Sequence, residues 1–359
     1  MTVDEDLALT ALRSQRSWGP SRWPEDRGGH VWPKDREVVT DDGARIRYTV
    51  RGAEGGPWVV LCSGYLCPDN FWRGLGAALM ERHRVVVLNY RSVGASTHPR
   101  ATGPHATGPG TTDLTDEDFS IPRVAGDVAA VLEAEGAHDA VAMGHSMGCQ
   151  VALQLWRSRP ELVAGLVLVT GPFASPLHTF YGSRLGAHLF PLARHGLPLL
   201  PRALQRGLLK SPRLPIAVPV ARLARALGPH TPAEDMADYL RHLGEIEPTV
   251  ALRLAHGMHT FDATPWLHEV DAPTLVVVGS RDTFSPPELG ERVIERIDPS
   301  ELVTVEGGTH AALLEHPLEI HDAVADFLHR RLDGPAWRRL AARDAVSEAR
   351  GWSARRASA

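Results

Sequence analysis

The sequence predicts an α/β fold, in which a mostly parallel sheet carries helices on both faces and a helical segment is inserted between two strands. Short apolar runs rich in valine and leucine alternate with stretches of helical periodicity. This is the pattern of buried parallel strands joined by helices. The alternation stops after Thr170 and resumes only at Pro273. The residues between them are helix-like throughout, which predicts a cap on the sheet.

Length and composition limit the class of protein. The chain has 359 residues, enough for one large domain or two smaller ones, and its formal net charge of −5 indicates no nucleic-acid partner. No apolar run reaches the roughly 18 residues of a membrane span. The acidic start lacks the layout of a signal peptide, and the three scattered cysteines form no CxxC pair. We therefore expect a cytoplasmic protein, with its oligomeric state left open.

The first predicted segment, residues 1–35, holds three tryptophans among prolines, glycines and charges, and we interpret it as an arm packed on the main domain. The core begins with a hairpin whose strands, Arg36–Thr40 and Arg45–Val50, flank the turn sequence Asp41-Asp42-Gly43. A buried strand, a helix and another buried strand follow in order: Trp58–Cys62, Asn70–Glu81 and Val85–Leu88.

The most informative stretch of the chain is Gly144-His145-Ser146-Met147-Gly148. It is preceded by a capping box of Thr115 and Asp118, an amphipathic helix over Val124–Glu135 and a strand over His138–Met143, and a helical pattern follows it directly. A strand, a sharp Gly-x-Ser-x-Gly turn and a helix form a nucleophile elbow. The strained turn needs small residues two positions to each side of the serine, which both glycines provide. Ser146 is therefore the predicted nucleophile.

The inserted segment follows the strand Leu162–Thr170, and we predict a helical cap over residues 172–266. From Pro172 to Ala233 it contains no Asp or Glu but several basic residues: Arg184, Arg194, Arg202, Arg206, Lys210, Arg213, Arg222 and Arg225. One interpretation is a solvated polar surface. The other is a positive lid surface that attracts an anionic substrate tail or a membrane surface.

The sheet pattern resumes at Pro273–Gly279, directly followed by Ser280-Arg281-Asp282. A helix begins at Pro286. The last strand, Leu302–Val305, leads into Glu306-Gly307-Gly308-Thr309-His310 and a long helix that ends at Arg331. The core thus consists of residues 36–171 and 267–332, and residues 333–359 form a basic tail.

These residues give the chain a resemblance to the α/β-hydrolase superfamily, and within it to the capped ester hydrolases, from about Arg36 to Arg331. The resemblance implies an α/β-hydrolase fold with an inserted cap and the triad order serine, acid, histidine. Ser146, Asp282 and His310 occur in that order, each just after a predicted strand. Loops at the carboxyl ends of parallel strands meet at one edge of a sheet, so the three side chains can converge.

The resemblance also implies an oxyanion hole made of two backbone N–H groups. In the family, a His-Gly-x loop supplies one donor from the residue after its glycine. Here the loop reads Ser63-Gly64-Tyr65, so the implied donors are the N–H groups of Tyr65 and Met147. Ser63 departs from the usual histidine, but a backbone donor does not depend on side-chain identity.

Other residues compete for these roles less well. The strand before the cap is followed by Thr170-Gly171-Pro172, which contains no carboxylate, and Asp271 precedes its strand. We interpret Glu306 as a loop residue. His256, His259 and Asp262 imitate a metal cluster but are more typical of a polar helix surface, so neither a metal nor another cofactor is expected.

A serine at the elbow indicates acyl chemistry, because dehalogenases and epoxide hydrolases of this fold place an aspartate there. We predict a serine hydrolase that cleaves a carboxylic ester of a hydrophobic acyl or alcohol compound through an acyl-enzyme on Ser146. An acyltransferase or a C–C bond hydrolase would use the same triad. A non-catalytic ligand-binding protein on this fold is the alternative from another class.

Overall fold

The computed structural model describes residues 32–98, 114–179, 183, 185–210, 222 and 227–332. Within these ranges the strands form one eight-stranded sheet in the order β1-β2-β4-β3-β5-β6-β7-β8. The pairs β1–β2 and β2–β4 are antiparallel and the others are parallel, which confirms the predicted mostly parallel sheet. The strands are β1 (Arg36–Val39), β2 (Arg45–Gly52), β3 (Trp58–Cys62), β4 (Arg84–Leu88), β5 (Ala140–His145), β6 (Val163–Val169), β7 (Thr274–Gly279) and β8 (Ser300–Val305).

The α-helices of the described residues include a series of four between β6 and β7, where the predicted alternation stops. They are α1 (Arg73–Leu79), α2 (Ile121–Ala134), α3 (Met147–Ser158), α4 (Leu185–Gly196), α5 (Arg202–Lys210), α6 (Ala233–Leu243), α7 (Pro248–Thr260), α8 (Pro287–Ile294), α9 (Ala312–Glu315) and α10 (Pro317–Arg331). None of them combines the length and hydropathy that a membrane span requires.

The central strands are apolar throughout because helices cover both faces of the sheet. β5, β6 and β7 are buried along their whole length. Successive side chains of a strand point to opposite faces. In β3, Val60 therefore joins the cluster that contains α2 and α3, whereas Val59 and Leu61 join the cluster that contains α1 and α10.

The helices of the predicted cap, α4 to α7, lie in sequence between two strands that are neighbours in the sheet, and we call them the cap helices. β6 pairs directly with β7, with Leu166 opposite Thr274, although α4, α5, α6 and α7 separate the two strands in sequence. The sheet therefore continues across the insertion. The predicted domain boundaries themselves remain predictions.

Several elements differ from the sequence prediction at their ends. The last helix is divided at His316, because Pro317 lacks an N–H and disfavours helical backbone at the residue before it. The predicted helix over Asn70–Glu81 begins as a 3-10 turn before α1. Thr115 donates to Asp118 from its N–H and its hydroxyl, as predicted, but this pair precedes a short 3-10 turn, and Ser120 caps α2.

One tryptophan of the predicted arm falls within the described residues. Trp32 is buried, and a Cβ on Gly76 of α1 would lie 2.5 Å from its ring. The other tryptophans of the arm and the predicted tail of residues 333–359 lie outside the described residues.

Candidate active site

The turn between β5 and α3 holds Ser146 in a backbone conformation that few side chains adopt, with φ 54° and ψ −123°. Two close approaches explain the glycines around it. A Cβ on Gly148 would lie 1.9 Å from the Cys62 carbonyl oxygen, and one on Gly144 would lie 2.3 Å from the Gly148 carbonyl oxygen. The Ser146 N–H donates to the Val169 carbonyl at 3.1 Å. The elbow is thus tied to both neighbouring strands, and the serine side chain projects from the sheet edge.

The structure brings the three residues of the predicted triad together. His310 Nε2 lies 2.8 Å from Ser146 Oγ, and His310 Nδ1 lies 2.9 Å from Asp282 Oδ2. The other Asp282 oxygen accepts the N–H groups of Phe284 and Ser285, at 2.8 and 2.9 Å. Its carboxylate is fully buried and held from both sides. This geometry lets Nε2 take the serine proton while Asp282 orients the ring and stabilises its cation.

The competing residues lie elsewhere. Asp271 is exposed at the amino end of β7, the opposite edge of the sheet from His310. The Glu306 carboxylate accepts the Ser280 hydroxyl at 3.1 Å. His316, a histidine just after His310 in the chain, faces Glu319 at 3.6 Å.

One implied oxyanion donor, Met147, belongs to the elbow, and the other, Tyr65, lies on a neighbouring loop. Met147 is the first residue of α3, so its N–H has no acceptor within the helix and adds to the positive end of the helix dipole. The loop that carries Tyr65 packs on the serine: a Cβ on Gly64 would lie 3.0 Å from Ser146 Cβ. Ser63 is held by Trp72 Nε1, which donates to its hydroxyl at 3.1 Å, and by the Tyr90 hydroxyl, which donates to its carbonyl at 2.9 Å. The serine in place of histidine therefore has its own anchors.

Two further residues, His145 and Thr170, bind the backbone carbonyl of His310. His145 Nε2 lies 3.1 Å from the His310 carbonyl oxygen, and the Thr170 hydroxyl donates to the same oxygen at 3.3 Å. Burial lowers the pKa of His145 to about 3, so the ring is neutral and its Nε2–H donates. Sequence reasoning missed both roles, because each residue contacts a loop well over a hundred positions away.

A cavity of about 430 Å³ extends from Ser146 and His310 beneath the cap. Its described lining contains no Asp, Glu, Lys or Arg. The cap helices contribute aromatic and aliphatic side chains: Phe190, Met236, Tyr239, Leu240, Ala255 and Met258. The Tyr65 hydroxyl donates to the Ala251 carbonyl of α7 at 2.8 Å, which joins the oxyanion loop to the cap. The site is therefore an apolar chamber with the serine at one end.

The three residues that imitate a metal cluster have separate partners. The His256 ring lies 3.6 Å from Asp116, His259 Nδ1 lies 2.5 Å from the Ser175 hydroxyl, and Asp262 accepts the Thr264 N–H.

Elsewhere in the described part of the chain, Asp42, His98 and Asp118 place ligand-type atoms within 4.8 Å of one another. Arg91 and Arg123 already contact the Asp42 carboxylate at 2.8 and 2.6 Å, and their positive charges oppose a cation there.

Comparison with known proteins identifies the family of the chain. Residues 57–317 match the family described as the alpha/beta hydrolase fold. RutD of Pseudomonas savastanoi pv. phaseolicola, a proposed carbamate hydrolase, is 28% identical over 273 residues, which cover 76% of this chain and 94% of RutD.

Solved structures share the fold. The esterase RhEst1 from Rhodococcus sp. ECU1013 aligns with a TM-score of 0.63 at 23% identity, over 82% of this chain and 98% of that one. The esterase EaEST from Exiguobacterium antarcticum aligns with a TM-score of 0.63 at 17% identity, over 81% and 98%.

Proposed function

Because the chain belongs to the α/β-hydrolase family, we propose that it is a serine-dependent hydrolase that cleaves a carboxylic ester with a hydrophobic acyl or alcohol part. The observation that carries the proposal is the unbroken hydrogen-bonded series from Ser146 Oγ through His310 to Asp282. A hydroxyl is a poor nucleophile until a base accepts its proton, and this series supplies that base with its orienting carboxylate.

In the proposed mechanism, Ser146 Oγ attacks the ester carbonyl carbon while its proton passes to His310 Nε2. The N–H groups of Tyr65 and Met147 stabilise the oxyanion of the tetrahedral intermediate. The carbonyl reforms, the alcohol leaves with the proton from Nε2, and an acyl group remains on Ser146. A water molecule then attacks the acyl carbonyl while His310 Nε2 takes its proton. The bond between the acyl carbon and Ser146 Oγ breaks as Nε2 returns the proton to Oγ, which releases the acid and the free serine.

The lining of the cavity supports a neutral, apolar substrate. A charged acyl or alcohol group would lose its hydration without gaining an opposite charge from the described lining, which is unfavourable. The volume of about 430 Å³ lies in the lower part of the range for small-molecule sites, roughly 300 to 1,000 Å³. We therefore infer an ester of moderate size. The proposed activity of RutD adds carbamates as a second class to test.

The alternatives differ in acceptor or in scissile bond. An acyltransferase would pass the acyl group to an alcohol or amine, and a C–C bond hydrolase would cleave a carbon bond with the same triad. A ligand-binding protein needs a cavity but no hydrogen bond between His310 and Ser146, so the observed bond favours an enzyme.

The test is turnover of p-nitrophenyl esters of increasing acyl length and of a matched p-nitrophenyl carbamate, with a neutral phosphonate that labels active serines. We expect ester turnover and a single adduct on Ser146. Product analysis with added alcohol separates hydrolysis from transfer. Absence of both turnover and labelling would overturn the proposal.

A further inference from the structure

The carboxylate of Glu315, at the end of the short helix α9, accepts hydrogen bonds from two separate parts of the molecule. From the cap side, the Gly228 N–H donates at 2.8 Å and the Thr231 hydroxyl also contacts it. From the core side, the N–H and hydroxyl of Thr309 donate at 2.9 and 2.8 Å. Four donors converge on one side chain. Thr231 and Thr309 are both buried.

The cap-side donors belong to residues 227–231, which we call the cap strap. Its first residue, Leu227, lines the cavity above Ser146. Gly228 approaches the carboxylate so closely that a Cβ on it would lie 2.7 Å from Glu315 Oε1 and 3.1 Å from the Thr309 methyl carbon. The contact between Gly228 and Glu315 therefore sets the position of the neighbouring residue Leu227, which forms part of the cavity wall.

The core-side donor is the residue immediately before His310. Glu315 Oε2 accepts the Thr309 N–H, and Oε1 accepts its hydroxyl, so the carboxylate fixes both the backbone and the side chain of Thr309. The Thr309 hydroxyl in turn accepts the N–H of Ala311, on the other side of His310. The loop that carries the catalytic base is thus braced at both of its neighbours.

We propose that Glu315 is a positioning residue that couples the cap strap to the His310 loop, so that placement of the cavity wall and alignment of His310 with Ser146 depend on one carboxylate. The inference rests on the proposed function, because it assigns Glu315 to the same site. The charge suits the role. Burial by itself would raise the pKa of Glu315, but the bonds from Thr231, Thr309 and Gly228 outweigh burial and hold the pKa below its ordinary value. The ionised group accepts all four bonds.

The first test compares the two sides of the contact. Thr231→Val keeps the shape of the side chain and removes only the cap-side hydroxyl. We expect it to raise KM for p-nitrophenyl octanoate about tenfold, the effect of losing one hydrogen bond to a charged group. Turnover of the acetate, whose acyl chain is much shorter, should change less than about twofold. Glu315→Gln should lower kcat for both esters. One carboxylate oxygen becomes an amide NH2 group, which cannot accept a hydrogen bond from Thr309. Glu306→Gln is the matched control on the same loop and should change neither.

The second test is a double-mutant cycle. If both sides act through one carboxylate, Thr231→Val should have little further effect in the Glu315→Gln background. Additive effects on kcat/KM, or equal effects of Glu306→Gln, would overturn the coupling. If the Glu315→Gln protein does not fold, Thr231→Val alone provides the test. An equal effect of Thr231→Val on the acetate and octanoate esters would overturn the coupling.

Phosphonate labelling separates a failure of this inference from a failure of the proposed function. The rate at which a neutral alkyl phosphonate labels Ser146 reads the alignment of His310 even in a protein that cleaves no ester. A slower rate in Glu315→Gln than in Glu306→Gln supports the coupling in either case. Equal rates in a protein that does hydrolyse esters would overturn the coupling and leave the proposed function standing.

Discussion

Ser146 meets two requirements at once, since its hydroxyl contacts His310 while its backbone adopts a positive φ. Ser146→Ala keeps the backbone path and removes the nucleophilic atom. We expect ester turnover to fall by about three orders of magnitude or more, with an unchanged thermal midpoint. Residual activity above about one per cent, measured with a chromogenic ester, would place the nucleophile at another residue.

The Asp282 carboxylate divides its oxygens between His310 and the backbone of its own loop. Asp282→Asn keeps the size of the side chain but presents an amide donor to the ring or to the loop, so His310 favours the wrong tautomer. Turnover should fall by about three to four orders of magnitude, as in other serine triads. Glu306→Gln is the control, because the Glu306 carboxylate accepts the hydroxyl of Ser280, a residue outside the triad. A larger loss in Glu306→Gln than in Asp282→Asn would contradict the assignment of the acid.

The sequence alone identifies those residues whose role can be recognised from neighbouring positions in the chain. Ser146 has a motif around it, and Asp282 and His310 each follow a strand. Glu315 has no such signal, because its partners Gly228 and Thr231 lie far back along the chain in the cap. The same holds for His145, whose position in the motif says nothing of its bond to the His310 backbone.

At the scale of elements, close packing at the elbow should affect stability more than helix propensity does, and two glycines allow the comparison. Gly148→Ala would drive a Cβ into the Cys62 carbonyl at 1.9 Å, and we expect a loss of more than about 3 kcal/mol in the free energy of unfolding. Gly126 is exposed in α2, and a Cβ on it would meet no atom within 4 Å beyond the neighbouring backbone of its own helix. Gly126→Ala should therefore stabilise the protein by about 1 kcal/mol. Urea unfolding measures both, and a tolerated Gly148→Ala would refute the packing argument.

Strands were predictable because burial on both faces makes each one a short apolar run, as in β5 and β7. The ends of the helices were less predictable. The division between α9 and α10 follows from Pro317. The apolar periodicity continues across this residue and therefore predicted one helix. The start of α2 depends on Ser120, whose hydroxyl caps the helix by accepting the Arg123 N–H.

At the scale of the whole molecule, α7 joins the predicted cap to the main core. Val250 and Leu254 of α7 belong to the same hydrophobic cluster as α2 and α3. Gln150 of α3 donates to the Met258 carbonyl at 3.0 Å, and the buried Asp235 of α6 binds Arg73 at 2.9 Å. The cap thus has apolar, neutral and ionic connections to the sheet domain.

A peptide of residues 172–266 should therefore fail to fold alone, because α7 would expose the apolar face that it now buries. Circular dichroism and the dispersion of amide proton NMR signals measure this directly. A cooperative thermal transition in the isolated peptide would contradict it. The positive-lid interpretation stays a hypothesis: Arg194 is engaged with Asp116, and several of the other basic residues lie outside the described ranges.

Within the described residues, β1 and β8 each have a single neighbour in the sheet. Such strands offer unpaired backbone groups to any other extended chain, which is a route to aggregation. Both carry charge that discourages it. β1 contains Arg36 and Glu37, and Glu301 of β8 is held by Arg330 and Arg331 of α10 at 2.7 Å each. Charge on both edge strands therefore disfavours their pairing with another extended chain.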